Sequence, residues 1–332
     1  MKNACVIGYG NIGPVHTSIL NDLGALYAVC DADRKKLDRA REKYKNIKTF
    51  SNFDEVLNDK NIDVVHICTP HYLHAPLTEK ALSHGKDVVL EKPAAMNITE
   101  FEKLEKIIKT AKNRVCVVLQ NRYNNSIVRL KEIAGQKGTP VGVCGFLTWQ
   151  RTADYYNSAD WRGKLATEGG ALLINQAIHL LDMMQYIAGE PDGAEGNVCN
   201  HSLKNVIEAE DTCEALISFK NGCKGAFYAT NAYSGTYPYR LEVDYPDAAY
   251  RYSDNCLYEI KKDEIPKVIA ADTPAEIGKY IWGSAHKEVL ERFYSESKVY
   301  ETIFDAYNAH ALVYAIYKSA SEGGKYIKLG EK

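Results

Sequence analysis

Short uninterrupted apolar runs alternate with longer amphipathic stretches through the first third of the chain. Residues 4–7 lead into a Gly-rich turn at 8–13, and residues 14–24 carry Val15, Ile19, Leu20 and Leu23 at helical spacing. The next run, 25–30, ends at Asp31, and residues 31–44 place charges on most faces, the pattern of an exposed helix. Residues 64–68 precede a helix near 72–84, 87–90 one near 99–112, and 115–119 one near 125–135. Apolar strands without polar alternation, separated by helices, predict a doubly wound parallel sheet covered on both faces. Beyond about residue 122 the grammar changes. Residues 142–150 read as a strand, 170–187 as a long apolar helix, and 212–220, 223–232 and 239–243 as strands, with further pieces near 249–260. Asn221-Gly222 joins two of them and predicts a two-residue hairpin turn with positive φ at both positions. Helices near 284–295 and 301–321 close the chain. The expectation is a mixed α/β protein of two domains, 1–122 with a parallel sheet and 123–332 of α+β type with a mostly antiparallel one.

A length of 332 residues suits two domains, and 45% hydrophobic with 25% charged residues is ordinary for a folded protein. Forty-one basic against 43 acidic residues leave a charge of -2 with no long like-charge block, so neither nucleic acid nor a membrane surface is an expected partner. Nine cysteines without a C-x-x-C pair, most of them in apolar runs, read as free thiols in a reducing cytoplasm. The start of the chain reads as a strand rather than a secretory signal, and no apolar stretch is long enough to span a bilayer. Tyr outnumbers Phe 23 to 8, a bias that suits polar clefts, because each hydroxyl needs a partner when buried.

The turn at 8–13, GYGNIG, follows a strand and opens a helix, the context a dinucleotide fingerprint requires. Gly8 makes the tight turn, Gly10 admits the pyrophosphate to the backbone, and Gly13 lets the helix pack on the strand, with Asn11 and Ile12 completing the loop. The helix N-terminus then meets the anion. Asp31 would accept hydrogen bonds from the ribose hydroxyls and repel a 2′-phosphate, which favours NAD over NADP, although Arg34 and Lys35 stand near enough to leave NADP open. The plainer reading is that Asp31 or Asp33 caps the helix that follows. Lys92, at the C-terminal end of the apolar strand 87–90, stands where open α/β sheets bind ligands. Partly desolvated beside a cationic nicotinamide, its pKa should fall toward the working range. Pro93 would restrict Lys92 to extended backbone. Asn175, His179 and Asp182 are spaced i, i+4, i+7 and would share one helix face. His71 and His74 have the spacing of a metal pair, but no further ligand set accompanies them and no metal is expected.

GYGNIGPVH at 8–16, CTPHYLH at 68–74, VVLEKP at 88–93 and EGGALLINQAIHLLD at 168–182 together resemble the Gfo/Idh/MocA family of sugar and cyclitol oxidoreductases. The resemblance covers essentially the whole chain. It implies a Rossmann domain followed by a C-terminal α/β domain on a large, mostly antiparallel open sheet, which in this family commonly forms homodimers or homotetramers. It gives Lys92 the family's catalytic lysine position and His179 that of the helix histidine that exchanges a proton with the substrate oxygen. Asn175 stands where many members carry Asp. An amide cannot exchange a proton, so Asn175 is expected to position a substrate hydroxyl, and Lys92 and His179 are expected to share the acid/base work. The resemblance also places Thr69, Pro70, His74, Glu91 and Asn121 near the cofactor, with Trp161 and Arg162 in a loop over the nicotinamide side. Arg122, Tyr123, Arg151, Tyr156 and Tyr237 are expected to line the substrate pocket.

The implied activity is hydride transfer between NAD(P) and a secondary hydroxyl or ketone of a sugar, sugar acid, nucleotide sugar or inositol. The same residues would serve a redox-neutral glycoside cleavage in which NAD stays tightly bound. A non-catalytic nucleotide sensor would need the Gly-rich turn alone, and the presence of both Lys92 and His179 speaks against it.

Overall fold

The computed structural model describes residues 2–274, 284–295 and 299–330. The chain falls into two compact units, 1–120 with 286–306 and 121–285 with 307–332. A single cut near 122 assigns 286–306 to the second domain, whereas this segment returns to the first unit. The outer ends of the expected domains, residues 1 and 332, lie outside the described residues.

The first unit alternates strand and helix: β1 (Ala4–Ile7), α1 (Gly13–Asp22), β2 (Leu26–Cys30), α2 (Arg34–Lys43), β3 (Lys48–Phe50), α3 (Phe53–Asn58), β4 (Val64–Ile67), α4 (His74–Ser83), β5 (Asp87–Leu90), α5 (Ile98–Thr110) and β6 (Val115–Val117). Its six strands lie in the order β3-β2-β1-β4-β5-β6, all parallel. This is the Rossmann order, with its switch point between β1 and β4, where the Gly-rich turn emerges. Every residue of β1, β4 and β5 is buried, as strands covered on both faces must be. β3 and α3 escape sequence reading because Lys48-Thr49-Phe50 is a short edge strand with an exposed lysine and no apolar run.

The turn after β1 is built on backbone contact. Gly8 has φ +93°, and a Cβ there would lie 2.6 Å from Cys68 O; one on Gly13 would lie 2.2 Å from Gly8 O. Neither neighbour can move aside by a change of rotamer.

The second unit contains α6 (Asn125–Lys137), β7 (Gly142–Thr148), α7 (Ala153–Asn157), α8 (Leu165–Glu168), α9 (Ile178–Ala188), β8 (Pro191–Cys199), β9 (Thr212–Phe219), β10 (Lys224–Thr230), β11 (Arg240–Asp244), β12 (Ala249–Ser253), β13 (Cys256–Ile260) and β14 (Lys267–Ala271). After α10 (Ala285–Tyr294), most of which belongs to the first unit, α11 (Ile303–Ser321) leads back to β15 (Ile327–Lys328). The nine strands run β14-β13-β12-β11-β7-β10-β9-β8-β15, antiparallel except for the β7–β10 pair. β7 and β9 alternate buried and less buried positions. The buried set, with Val143, Leu147 and Ile217, meets Leu180, Leu181, Met184 and Ile187 of α9 and Leu312 and Ile316 of α11. Gly145 allows α9 to lie close on β7, since a Cβ there would come 2.5 Å from Met184 Sδ.

Three expectations for this unit change. The long helix read over 170–187 is not α-helical throughout, because Leu172–Ala177 forms a wider π turn before α9 begins. The β9–β10 hairpin is present, but Gly222 has φ +92° while Asn221 is not among the residues of positive φ. Phe219 and Cys223 close a three-residue loop in which Asn221 Oδ1 accepts the Cys223 N–H at 3.1 Å and Asn221 Nδ2 donates to Ala188 O at 2.7 Å. The two-residue turn of positive φ occurs instead at Asp254-Asn255, between β12 and β13. β8 carries no strand signal in its sequence, because PDGAEGNVC lacks strand periodicity. Its Gly193 and Gly196 are there for close approach: a Cβ on either would sit 2.5 Å from Ile327 O or Glu214 O.

Replacement Gly13→Ala should cost about 1–3 kcal/mol by overpacking, lowering the Tm by roughly 2–4 °C per kcal/mol. A melting curve within error of wild type would show that the turn is looser than described.

Candidate active site

At the switch point of the first unit, Gly10 and Asn11 are exposed and Ile12 is half-buried. A Cβ on Gly10 would meet nothing within 4 Å, so open space lies beside the backbone where a phosphate must approach. The first turn of α1 carries no acidic side chain to compete with an anion. Asp31 ends β2 with its carboxylate largely buried. Its Oδ2 accepts the Tyr9 N–H at 2.7 Å and its Oδ1 the Asp33 N–H at 2.9 Å, so it braces the Gly-rich turn while a carboxylate's remaining lone pairs stay available to ribose hydroxyls. The cap of α2 is Asp33, whose Oδ1 accepts the Lys35 N–H at 2.9 Å. Arg34 and Lys35 are exposed.

Thr69 and Pro70 follow β4, and Thr69 Oγ1 is buried with no hydrogen-bond partner among the described residues. An orphaned hydroxyl of this kind is a place for a polar ligand atom. His74 Nδ1 lies 2.7 Å from Pro93 O and Nε2 2.8 Å from Thr69 O, so the ring ties the loop after β4 to the loop after β5. Burial pushes its pKa down, against those two carbonyls. The residues thus fit a dinucleotide: a backbone cradle, a helix N-terminus, an acceptor at the end of β2 and an unsatisfied hydroxyl beside them.

At the end of β5, the Glu91 carboxylate is 5% exposed. His16, on α1, brings Nε2 to within 3.0 Å of its Oε1; His16 Nδ1 lies 2.9 Å from His66 Nδ1, and His66 Nε2 lies 2.9 Å from Tyr294 Oη. Burial would raise the Glu91 carboxyl, but the His16 hydrogen bond and the cationic forms of His16, His286 and Lys92 outweigh it and hold it at about 2. Burial also keeps His66 neutral and lowers His286 to about 4. With the carboxylate ionised, His16 Nε2–H donates to Glu91, and His66 and Tyr294 extend the chain of hydrogen bonds behind it. Glu91 Oε2 in turn accepts the Lys92 N–H at 3.3 Å. Lys92 itself is half-buried, and its peptide bond to Pro93 is cis.

In the second unit, Asn121, Arg122 and Tyr123 lie on a short turn before α6. Arg122 is 6% exposed and grips both oxygens of Asp182, Nε to Oδ2 at 2.9 Å and Nη2 to Oδ1 at 2.6 Å, with its guanidinium over the Tyr186 ring. Asp182, read from spacing as a partner of the helix stripe, is therefore the anchor of this clasp. Tyr155 lies between the guanidinium groups of Arg151 and Arg162, whose Cζ atoms are 5.0 and 4.5 Å from its ring, and its hydroxyl accepts from Arg162 Nη1 at 2.6 Å. Arg162 also stacks on Trp161. Gln176 Nε2 donates to the same Tyr155 hydroxyl at 3.2 Å, and Asn231 Nδ2 reaches both Gln176 Oε1 and Tyr156 Oη. Asn231 Oδ1 and the Nε atoms of Arg151 and Arg162 are buried without a partner among the described residues. Tyr237 differs from its neighbours: its ring is 52% exposed, and its carbonyl holds Trp149 Nε1.

Asn175 lies in the π turn and His179 in the first turn of α9, both buried. The N-terminus of this helical segment is held by Glu210, whose Oε1 accepts the Ala171 and Leu173 N–H groups and the Tyr317 hydroxyl. Behind Asn175 stands Glu168, fully buried, which accepts Asn175 Nδ2 on Oε1 and the Gly163 N–H on Oε2. Burial raises its carboxyl to about 7, against these two hydrogen bonds and the charge of Arg162. Glu168, Glu210, Gln176, Asn231 and the His16–His66–Tyr294 chain were not singled out from the sequence. His66 was the legible one, since an imidazole inside the buried run VVHIC has to find polar partners.

Fold and cradle define a dinucleotide-binding protein. Residues 2–119 match the family model described as an oxidoreductase family with an NAD-binding Rossmann fold, and residues 129–250 match the Gfo/Idh/MocA C-terminal domain. The chain belongs to the Gfo/Idh/MocA family of oxidoreductases, and its cofactor is NAD. It is 27% identical over 243 residues to a myo-inositol 2-dehydrogenase of Thermotoga maritima, covering 72% of this chain and 71% of that one. A levoglucosan dehydrogenase of Pseudarthrobacter phenanthrenivorans is 24% identical over 305 residues, 81% of this chain and 77% of the relative. The fold is shared with the WlbA dehydrogenase of Bordetella pertussis, solved with NADH and UDP-GlcNAcA, at a TM-score of 0.86, 24% identity and full coverage of both chains.

Two outcomes follow from this geometry. Gly10→Ala should leave the Tm nearly unchanged yet weaken NADH binding about tenfold or more, because the methyl fills the phosphate approach; unchanged NADH fluorescence titration would refute it. For acid stability, an unfolded histidine titrates near ~6.5. Those buried neutral here titrate lower, His286 at about 4. Their contribution is fully present above ~6.5 and is lost as pH falls toward the folded value, by about 1.4 kcal/mol per pH unit for each group. Between about pH 7.5 and about pH 5 the Tm of His286→Leu should fall less steeply than that of wild type; parallel curves would contradict the assignment.

Proposed function

We propose that this chain oxidises a secondary hydroxyl of a sugar, sugar acid, nucleotide sugar or inositol, or reduces the matching ketone, with Lys92 and His179 moving the proton. The observation that carries this reading is the polar cluster of half-buried Tyr155 with buried Tyr156, Gln176 and Asn231, in which Asn231 Oδ1 and the Nε atoms of Arg151 and Arg162 are orphaned. Such a wall suits a ligand with many hydroxyls, and its two arginines favour one that carries a carboxylate or phosphate. Relatives named as inositol and levoglucosan dehydrogenases support the same class. Bound NAD supplies the hydride acceptor. Lys92 is assigned the task of removing the hydroxyl proton, its backbone fixed by Glu91. His179 is assigned the hydrogen bond to the reacting oxygen, and Asn175 a neighbouring hydroxyl.

We also infer a homodimer or homotetramer formed through the outer face of the nine-stranded sheet. There Leu216 and Tyr228 are 57% and 37% exposed beside Phe146, a patch that water covers poorly. Nine free thiols, six of them buried, suit a reducing cytoplasm. Among the described residues no helix is long and apolar enough to cross a membrane.

Lys92→Ala and His179→Ala should each lower turnover about a hundredfold or more while NADH affinity persists, measured on a panel of inositols, uronates, nucleotide sugars and glycosides. Full activity in both variants would end this mechanism, and a wild-type enzyme inert toward the whole panel would end the substrate class. Leu216→Arg should shift the light-scattering mass to that of a monomer; an unchanged assembly would place the interface elsewhere.

A further inference from the structure

Asn175 puts a neutral amide on this helical segment, and a carboxylate lies directly behind it. Glu168, the last residue of α8, is 0% exposed. Its two oxygens have different partners: Oε2 takes the Gly163 N–H and Oε1 takes the Asn175 amide through Nδ2. A backbone N–H can only donate, so Oε2 must remain an acceptor in every protonation state. A proton on Oε1 would face Asn175 while Oε2 keeps the Gly163 N–H.

We propose that Glu168 is a positioning residue that sets the hydrogen-bonding sense of Asn175: ionised, it holds Nδ2 inward so that Oδ1 is offered as an acceptor to a substrate hydroxyl; protonated, it reverses the amide. The proposal rests on the reading of Asn175 as a substrate-facing residue. In the protonated state, Oε1–H donates to Asn175 Oδ1, the amide turns about its Cβ–Cγ bond, and NH₂ is offered in place of a carbonyl. A sugar or cyclitol hydroxyl that donates in the first state must accept in the second. Burial brings this exchange to about pH 7. The charged and titratable groups facing Glu168 include Arg162, which favours the anion, Glu210, which opposes it, and the hydroxyls of Tyr155 and Tyr156. Glu168→Gln mimics the protonated state, since Gly163 N–H requires the amide oxygen and leaves the Nε2 donor toward Asn175.

The first test needs no turnover. With ¹⁵N-asparagine labelling of the NAD-loaded protein, and Asn175→Ala to identify the signal, the Asn175 side-chain amide should shift with a midpoint of about 7 in wild type. It should be invariant with pH in Glu168→Gln. An amide that does not titrate in wild type, or titrates equally in the variant, overturns the proposal.

The second test uses myo-inositol, levoglucosan and a UDP-hexuronate as probes. On whichever is oxidised, Glu168→Gln should raise KM about tenfold at about pH 8.5, with kcat and NADH affinity little changed. It should add nothing in the Asn175→Ala background. Additive effects in the double variant would overturn the coupling. If wild type oxidises none of the probes, the substrate reading falls, and the amide titration still decides the role of Glu168.

Discussion

The first unit is organised around one buried charge. A carboxylate taken out of water at the end of a parallel strand costs several kcal/mol unless its lone pairs are filled. At Glu91 they are filled by groups from different parts of the chain: His16 from the helix after the Gly-rich turn and the Lys92 N–H from the strand's own extension. His286, from the helix that returns late in the chain, adds its ring 3.9 Å from the same oxygen. The carboxylate therefore couples the orientation of α1 to the loop that carries Lys92. His16 donates to the ionised Glu91, and His66 and Tyr294 extend that chain of hydrogen bonds two side chains further.

The second unit meets the same cost with the opposite outcome. Glu168 is as buried as Glu91, but there burial, with Glu210 opposing the anion, outweighs the Gly163 and Asn175 hydrogen bonds and the charge of Arg162, so its carboxyl rises instead of falling. Glu210 shares that rise, yet it holds the start of the π turn, where free N–H groups favour an anion. The wider turn at Leu172–Ala177 changes the angular spacing of Asn175 relative to His179 from that of a plain α-helix. A buried carboxyl raised to about 7 titrates near neutrality, and such groups gather where ligands are handled.

Much of this was legible along the chain wherever local pattern and tertiary role coincide. β1, the Gly-rich turn, α1 and Asp31 could be read directly, because close backbone approach demands glycine and a sheet covered on both faces demands uninterrupted apolar strands. Lys92 could be placed at a strand end for the same reason. What stayed hidden depends on partners far away in sequence. β8 is held in the sheet by neighbours whose backbone crowds Gly193 and Gly196, and nothing local marks it as a strand. Asp182 was grouped with His179 by spacing, whereas its partner Arg122 lies 60 residues earlier. Glu168 immediately precedes two glycines that draw the eye, and only the fold shows that it backs Asn175.

Asp31 shows why reading a residue as either structural or functional is a false choice. Its carboxylate accepts the Tyr9 and Asp33 N–H groups, and so shapes the turn that receives the cofactor. The same charge would repel a 2′-phosphate placed beside it. Removing the side chain would relieve that repulsion but strand two backbone donors, each costing about 1–3 kcal/mol if it stays buried. Exchange of NAD for NADP therefore requires a residue that keeps an acceptor at both N–H groups while losing the charge. Asn at position 31 supplies only one carbonyl oxygen for the two donors. With Asp31 at the ribose, a preference for NAD would be built into the folding of the turn.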